Sequence, residues 1–412
     1  MPSARNVAAV ALSAVPLSRC LSIAVPGTVP DNASGVVDQA FVGFGIESTS
    51  FQLYALSGQT GSQTNQSTQN ILSGFASRTG ALVNIRVGGT SLDNARFDAT
   101  QEPAVRYENA IAPHTLHSHI TLGQRWLTGL RALSDVTWVL QLPFARGNQT
   151  NAVEFANAGL AAMPAGTFDA FEIGNEPQWY HTAVYNDRNA SWSPEAYLEE
   201  WDDWAQAVLA GTGLDQVEGP QSNGLPLAGK LPPEAKVLDS LDNSTVKAVS
   251  QHDYQSTDGS ILQERRELTP WRDTLMNHTF TKTRMTNYSQ AIRTLQTNGN
   301  NIPIIFGEVG SALGDGGSAD YALNSRLGAA LWTVDWLLYA MTLGIKQVSM
   351  QLGIDYPFSG FQPATVNASS SPYASPNNST DHPACVLGGF YGDVDDAERH
   401  FDDPRGGWGF GC

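Results

Sequence analysis

Cysteine is nearly absent from this chain, with only Cys20, Cys385 and Cys412 among 412 residues. That scarcity excludes a disulfide-built scaffold, and no spacing matches a zinc-ligand pattern. Cys385 and Cys412 could close a single disulfide in an oxidising compartment. Charge is sparse too, at 15% of residues against a usual value of about 25%. Positive charge is the rarer sign, and 23 basic against 40 acidic residues leave a formal net charge of -17. A chain so acidic repels phosphate backbones, which argues against nucleic acid as a partner. Past the N-terminus no apolar run approaches the ~18 residues of a membrane-spanning helix.

What is present is enough apolar material, 41% of the chain, for a sizeable core. The first residues read as a secretory signal: Arg5, then the apolar stretch Val7 to Val15, then Ser22-Ile23-Ala24 as small residues at a cleavage site. Asn-x-Ser/Thr sequons agree with export and an N-glycosylated surface. They begin at Asn32, Asn65, Asn148, Asn189, Asn243, Asn277, Asn287, Asn367, Asn377 and Asn378. The expected organisation is a signal peptide over 1–24, a segment over 25–40, a (β/α)8 barrel over 41–362, and a linker with a truncated start of a β domain over 363–412. The Ser-, Asn- and Pro-rich stretch from Pro363 to Asp381 marks that last change.

Eight apolar or β-branched runs carry the barrel expectation: Phe41 to Ile46, Leu82 to Val87, Thr137 to Leu142, Ala170 to Ile173, Gln216 to Gly219, Val246 to His252, Ile302 to Phe306 and Gln347 to Leu352. Helical patterns lie between them. Thr121 to Leu133 has capping-box spacing and an apolar face, and Ser193 to Leu209 opens with an N-cap serine and Pro194. Tyr288 to Leu295 and Leu327 to Leu343 are further helices. Strands alternating with helices imply a parallel sheet, and eight of them imply closure.

Barrel enzymes place their chemistry at the C-terminal strand ends. Two glutamates stand there, in Gly174-Asn175-Glu176-Pro177 and in Gly307-Glu308-Val309-Gly310. Two carboxylates on one rim are what glycosidic cleavage requires, one protonating the departing oxygen while the other attacks the sugar carbon or activates water. The residues alone do not say which takes which part.

These motifs resemble the large clan of retaining barrel glycosidases. Phe44-Gly45-Ile46-Glu47, Ile85-Arg86-Val87-Gly88-Gly89, His252-Asp253-Tyr254, Gln351-Leu352-Gly353-Ile354-Asp355-Tyr356 and Gly360-Phe361-Gln362-Pro363 narrow the resemblance. From about Phe41 to Pro363 the chain is similar to glycoside hydrolase family seventy-nine, the β-glucuronidases and heparanases. The resemblance implies Glu176 as acid/base, Glu308 as nucleophile and Arg86 as its support. It implies sugar contacts from Glu47, Asn175 and Tyr254, and uronate contacts from Leu313, Gly314 and Tyr356. It also implies a β-sandwich beside the barrel, which here would be truncated or missing. The expected substrate is a glycan or glucuronide, and no cofactor or metal is implied. The alternatives are a barrel β-glycosidase for neutral sugars and a non-catalytic carbohydrate-binding relative.

Smaller signals complete the reading. His252 reads as a hydrogen-bonded barrel residue, and His114, His117 and His119 as a polar loop. Arg265, Arg266, Lys282 and Arg284 read as a solvated loop face. Trp192, Trp201 and Trp204 read as helix core, while Trp179 and Tyr180 are candidates for stacking on a sugar ring.

Overall fold

A computed structural model describes residues 27–31, 33–57, 61–108, 119–182, 187–223, 241–257, 273–297, 301–313, 327–354, 356 and 358–363. The chain divides into two units, Met1–Ala33 and Ser34–Cys412, and all that follows concerns the second. The signal peptide, most of the 363–412 segment, Cys385, Cys412, Gly314, His114, His117, Arg265 and Arg266 lie outside the described residues.

Eight strands form a closed barrel, as the alternating pattern implies. They are β1 (Val42–Glu47), β2 (Val83–Gly88), β3 (Val136–Leu142), β4 (Phe168–Ile173), β5 (Val217–Asn223), β6 (Val246–Thr257), β7 (Ile304–Leu313) and β8 (Gln347–Leu352). Each pairs in parallel with its neighbours in chain order, and β1 pairs with β8 to close the ring. Strands covered on both faces tend toward continuous apolar runs; all six residues of β2 are buried, Asn84 and Arg86 among them. The fifth run, expected over Gln216 to Gly219, is longer in the structure: β5 continues to Asn223 through register shifts on either side of Glu218.

Amphipathic helices cover the outside. In α1 (Gln66–Thr79) the N-cap Asn65 accepts from Thr68 N–H and donates to Leu53 O at 2.8 Å. That side chain is buried, so the sequon it heads is closed to a glycan in the folded chain. Further helices are α2 (Gln149–Ala162), α3 (Pro194–Thr212), α4 (His278–Thr286), α5 (Tyr288–Thr297) and α6 (Leu327–Leu343). Ser193 caps α3 by accepting from Ala196 N–H at 3.2 Å. Trp201 and Trp204 are core residues of that helix, whereas Trp192 precedes it and stacks on Tyr180.

One expected helix is absent. Thr121 lies in a strand, Ile120–Gly123, which pairs with Ala95–Asp98 and Val105–Tyr107. Its hydroxyl bonds Glu108 at 2.6 Å instead of capping a turn. Leu122, Trp126, Leu127 and Leu130 are all buried as their spacing suggested, but through this strand and a 3-10 turn, Trp126–Arg131. A short apolar run satisfies either period, and edge pairing decided it.

The barrel interior holds polar groups beneath its mouth. A cavity of ≈ 10 Å³, room for about one water centre, is lined by Asn84, Arg86, Glu172, Glu218 and Ser349 among others. Glu218 Oε2 has no protein donor among the described residues, and Lys247 stands 3.7 Å from Oε1. Burial, opposed by Lys247, pushes the Glu218 carboxyl from 4.5 to about 8. A raised carboxyl favours the folded state fully below its unfolded value and loses that contribution as pH rises through about 8. Glu218→Gln should therefore raise the melting temperature by roughly a few degrees at pH 8.5, with the gain vanishing near pH 5. Thermal scans at both pH values check this, and a gain equal at both would contradict a buried neutral Glu218.

Candidate active site

The C-terminal strand ends converge on one polar centre built around Arg86. Its side chain stands inside β2, almost wholly buried. Nε donates to Glu172 at 2.6 Å, Nη1 to Glu308 at 2.5 Å, and Nη2 to Gln141 at 2.9 Å and Asn175 at 3.1 Å. Burial works against the charge, but the two carboxylates outweigh it and raise the pKa above the ordinary guanidinium value. The planar fork thus ties together residues from β2, β3, β4 and β7 and the turn after β4.

Glu308 reaches this centre because β7 breaks its own alternation. Phe306 points outward onto Tyr288 and Trp336, so strict period-two pleating would send Glu308 outward as well. The register instead slips: Gln251 pairs Phe306 while the next residue, His252, pairs Glu308, passing over Gly307. The extra residue turns the carboxylate inward. Gly307 permits it, since a Cβ there would lie 2.6 Å from Ser250 Oγ and 3.0 Å from Glu172 Oε1. Once inside, Glu308 accepts from Arg86 on Oε1 and from the Tyr254 hydroxyl on Oε2 at 2.8 Å. Burial, then the nearby Glu308 and Glu176 carboxylates, hold the Tyr254 phenol well above its ordinary pKa, so it serves as a donor.

Glu176 enters from the turn after β4 with φ 49° and ψ 52°. Left-handed backbone costs a non-glycine residue about 1–3 kcal/mol and persists only where surroundings impose it. Here its N–H donates to Gln221 Oε1 at 2.5 Å, and its C=O accepts from Trp179 N–H at 3.0 Å. The first bond also orients the Gln221 amide, leaving Nε2 to donate to His252 Nε2 at 2.5 Å. The imidazole, neutral because burial depresses its pKa to about 4, must then carry its proton on Nδ1. That proton points at Glu176 Oε1, 2.9 Å away, with Glu308 Oε2 at 3.6 Å.

One donor atom each from Glu176, His252 and Glu308 lie within 4.8 Å of one another. The spacing would suit a metal, but His252 Nδ1 holds a proton and Glu308 already faces a guanidinium. The set is committed to hydrogen bonding, and it brings two carboxylates close together at the barrel mouth.

Glu47 ends β1 nearby. It accepts from Ser91 Oγ, from Ser91 N–H at 3.3 Å and from Ser48 N–H at 3.2 Å. Burial raises its carboxyl to about 8. Gly89, at φ 95°, lies against it where any Cβ would collide with the Glu47 carboxylate. Tyr356 joins Tyr254 and Phe358 in a buried aromatic triplet beside Glu308. Leu313 closes β7, its backbone in register with Thr257, while Gly314 lies beyond description.

Two readings of the sequence are corrected here. Tyr180 is fully buried with its hydroxyl on Asp93, so it is no stacking platform, whereas Trp179 keeps partial exposure. Arg284 is not a solvated loop residue: it pairs with Asp253 at 2.7 Å and donates to Tyr254 O at 2.8 Å, tying α4 to the back of β6. The sequence reading did not single out Gln141, Glu172, Gln221 and Asp93. Gln141 and Glu172 stand as polar residues within apolar runs, which was their only signal, whereas Gln221 and Asp93 lie among polar neighbours and gave none.

Comparison with known proteins follows the same lines. No family model matches the chain. It is 26% identical to a β-glucuronidase of Neurospora crassa over 88% of this chain and 66% of that one. It is 29% identical to a β-glucuronidase of Aspergillus niger over 84% of this chain and 64% of that one. The chain thus spans just under two thirds of the length of these curated relatives. In fold it is similar to a 4-O-α-L-rhamnosyl-β-D-glucuronidase from Fusarium oxysporum, with TM-score 0.65 and 20% identity over 82% of this chain and 69% of that one. A family 51 α-L-arabinofuranosidase from Bifidobacterium longum is also similar, with TM-score 0.53 and 16% identity over 83% and 73%. The solved structures share the barrel fold with this chain, and the two curated relatives resemble it in sequence over most of its length.

Proposed function

We propose that the chain is a retaining β-glucuronidase, with Glu308 as nucleophile and Glu176 as acid/base. The observation that carries this reading is the pair of carboxylate oxygens within 4.8 Å of each other at the mouth of one barrel. Inversion needs carboxyl groups about 6.5–9.5 Å apart to seat a water, whereas double displacement needs about 5–5.5 Å. Environment supports the division of labour. Glu308 receives a guanidinium and a phenol, donors that suit an ionised nucleophile. Glu176 instead accepts from the neutral imidazole of His252 at 2.9 Å. In this reading Glu176 protonates the glycosidic oxygen as Glu308 attacks the anomeric carbon, then draws a proton from the water that releases the sugar. In this reading Asn175, held by Arg86, also bonds the sugar 2-hydroxyl.

The glucuronide preference rests on the two curated relatives. Purified chain assayed with matched 4-nitrophenyl β-glucuronide, β-glucoside and β-galactoside tests it. Turnover of the glucuronide above the others by ~100-fold or more is expected, because a site built for a carboxylate leaves polar groups unpaired on a neutral sugar. Equal turnover of all three would replace this reading with a neutral β-glycosidase, and none from folded chain would remove the enzyme reading.

A further inference from the structure

Behind the proposed acid/base, away from the sugar side, lies a second buried carboxylate that the reaction does not consume. Asp93 follows β2 in the short helical turn Thr90–Asp93 and is buried. Its Oδ1 accepts from Phe144 N–H at 2.9 Å and Ala145 N–H at 3.2 Å, and its Oδ2 accepts from the Tyr180 hydroxyl. Tyr180 Oη in turn accepts from Asn175 N–H at 3.4 Å. An amide N–H can only donate, so the phenol oxygen is the acceptor there and its proton goes to Asp93. Three donors converge on Asp93 and favour its charged form, against burial that pushes the carboxyl up to about 7.

The same short stretch is gripped from its other side. Arg188 donates to Ala145 O at 2.6 Å and Phe144 O at 3.2 Å, and it pairs with Glu200 of α3 at 2.6 Å. Its guanidinium lies 5.2–5.5 Å from the ring centroids of Phe144, Tyr180 and Trp192. Phe144 and Ala145 thus give their N–H groups to Asp93 and their carbonyls to Arg188. Gly174, at φ 81°, packs on this assembly, where a Cβ would lie 3.1 Å from Phe144 Cβ and 3.2 Å from Tyr180 Oη. The Gly174-Asn175-Glu176 turn is left-handed at Gly174 and Glu176, and the residue between them hangs on Tyr180.

We infer that Asp93 and Tyr180 are a positioning pair that anchors the Asn175–Glu176 turn and so sets where the Glu176 carboxyl meets the departing oxygen. The inference rests on Glu176 being the proton donor. Both residues act through the turn, since Tyr180 is fully buried and neither offers an atom to the sugar side.

The test uses leaving groups. A 2,4-dinitrophenyl glucuronide departs without a proton, whereas a phenyl glucuronide needs one. Tyr180→Phe keeps the ring and removes only the anchoring oxygen. It should lower kcat/KM, which reports formation of the glycosyl-enzyme, by roughly 10–100-fold for the phenyl substrate, part of the ~10²–10⁴ that a general acid supplies, and by less than about 3-fold for the dinitrophenyl substrate. Asp93→Asn should do the same if it folds, and Tyr180→Phe decides the matter if it does not. Equal losses on both substrates would make the pair merely structural and overturn the inference. Glu176→Ala serves as the control: if it shows no dependence on the leaving group, the assignment of Glu176 fails instead. A crystal structure of Tyr180→Phe gives a readout without turnover. Displacement of the Asn175–Glu176 backbone is expected, and Glu176 unmoved with its N–H still on Gln221 would overturn the inference.

Discussion

Glu308→Gly should abolish hydrolysis, and azide should restore turnover of an activated glucuronide as the α-glucuronosyl azide. The loss should reach at least ~10⁶-fold, near the smallest acceleration that an enzyme as a whole supplies. Removing the side chain empties the space on the face opposite the leaving group, between Arg86 and Tyr254. A small anion can enter there and attack the anomeric carbon once, inverting it. Glu176→Ala behaves differently. With a dinitrophenyl leaving group the glycosyl-enzyme still forms on Glu308, but the water that should release it lacks a base. Azide needs no base, attacks from the opposite side and yields the β-azide, after a loss of about 10²–10⁴-fold on unactivated substrates. Product stereochemistry by NMR reads the two roles directly. Azides of reversed configuration would exchange the roles of Glu176 and Glu308, and no rescue in either variant would place the chemistry elsewhere.

The barrel was legible because its strands are buried on both faces and so spell β-branched or aromatic runs, such as Val83–Gly88 and Val136–Leu142. The two glutamates were legible because each follows such a run at a glycine-marked strand end. The alternation itself was no guide to Glu308: counting by twos from the outward Phe306 puts it on the wrong face, and only the slip at Gly307 turns it in. A bulge is a property of two strands, which one strand's pattern cannot display. For the same reason His252 read as a barrel hydrogen-bonding residue, which it is, while its place between the two carboxylates depended on that register. The helix over Thr121 to Leu133 failed because an apolar run beside a partner edge serves a strand equally well. Gln141 and Glu172 are isolated polar residues inside apolar strands, Gln221 is one of several polar residues in β5, and nothing local distinguishes such residues from ones paired for structure.

Arg86→Met should cost about 3–5 kcal/mol of stability, the usual result of removing one partner from a buried ion pair, and it should abolish turnover. Methionine replaces most of the volume, so the loss reports charge and not a cavity. Without the guanidinium, Glu172 and Glu308 face each other as two buried carboxylates, and Gln141 and Asn175 lose the donor that joins them. Stability and activity should then separate in the double variant. Arg86→Met with Glu172→Gln removes one of the stranded charges and should recover part of the melting temperature. It should recover no activity, because Glu308 still lacks the fork that aims it. Arg86→Lys is the sharper comparison. An ammonium keeps the positive charge but has three donors on a flexible stem, where the planar fork serves four partners in β3, β4, β7 and the turn after β4. If charge alone mattered, lysine would restore both properties. The geometry predicts that lysine restores much of the stability and little of the rate, since balancing two carboxylates needs only a cation nearby, whereas presenting one of them to an anomeric carbon needs it held in a single orientation.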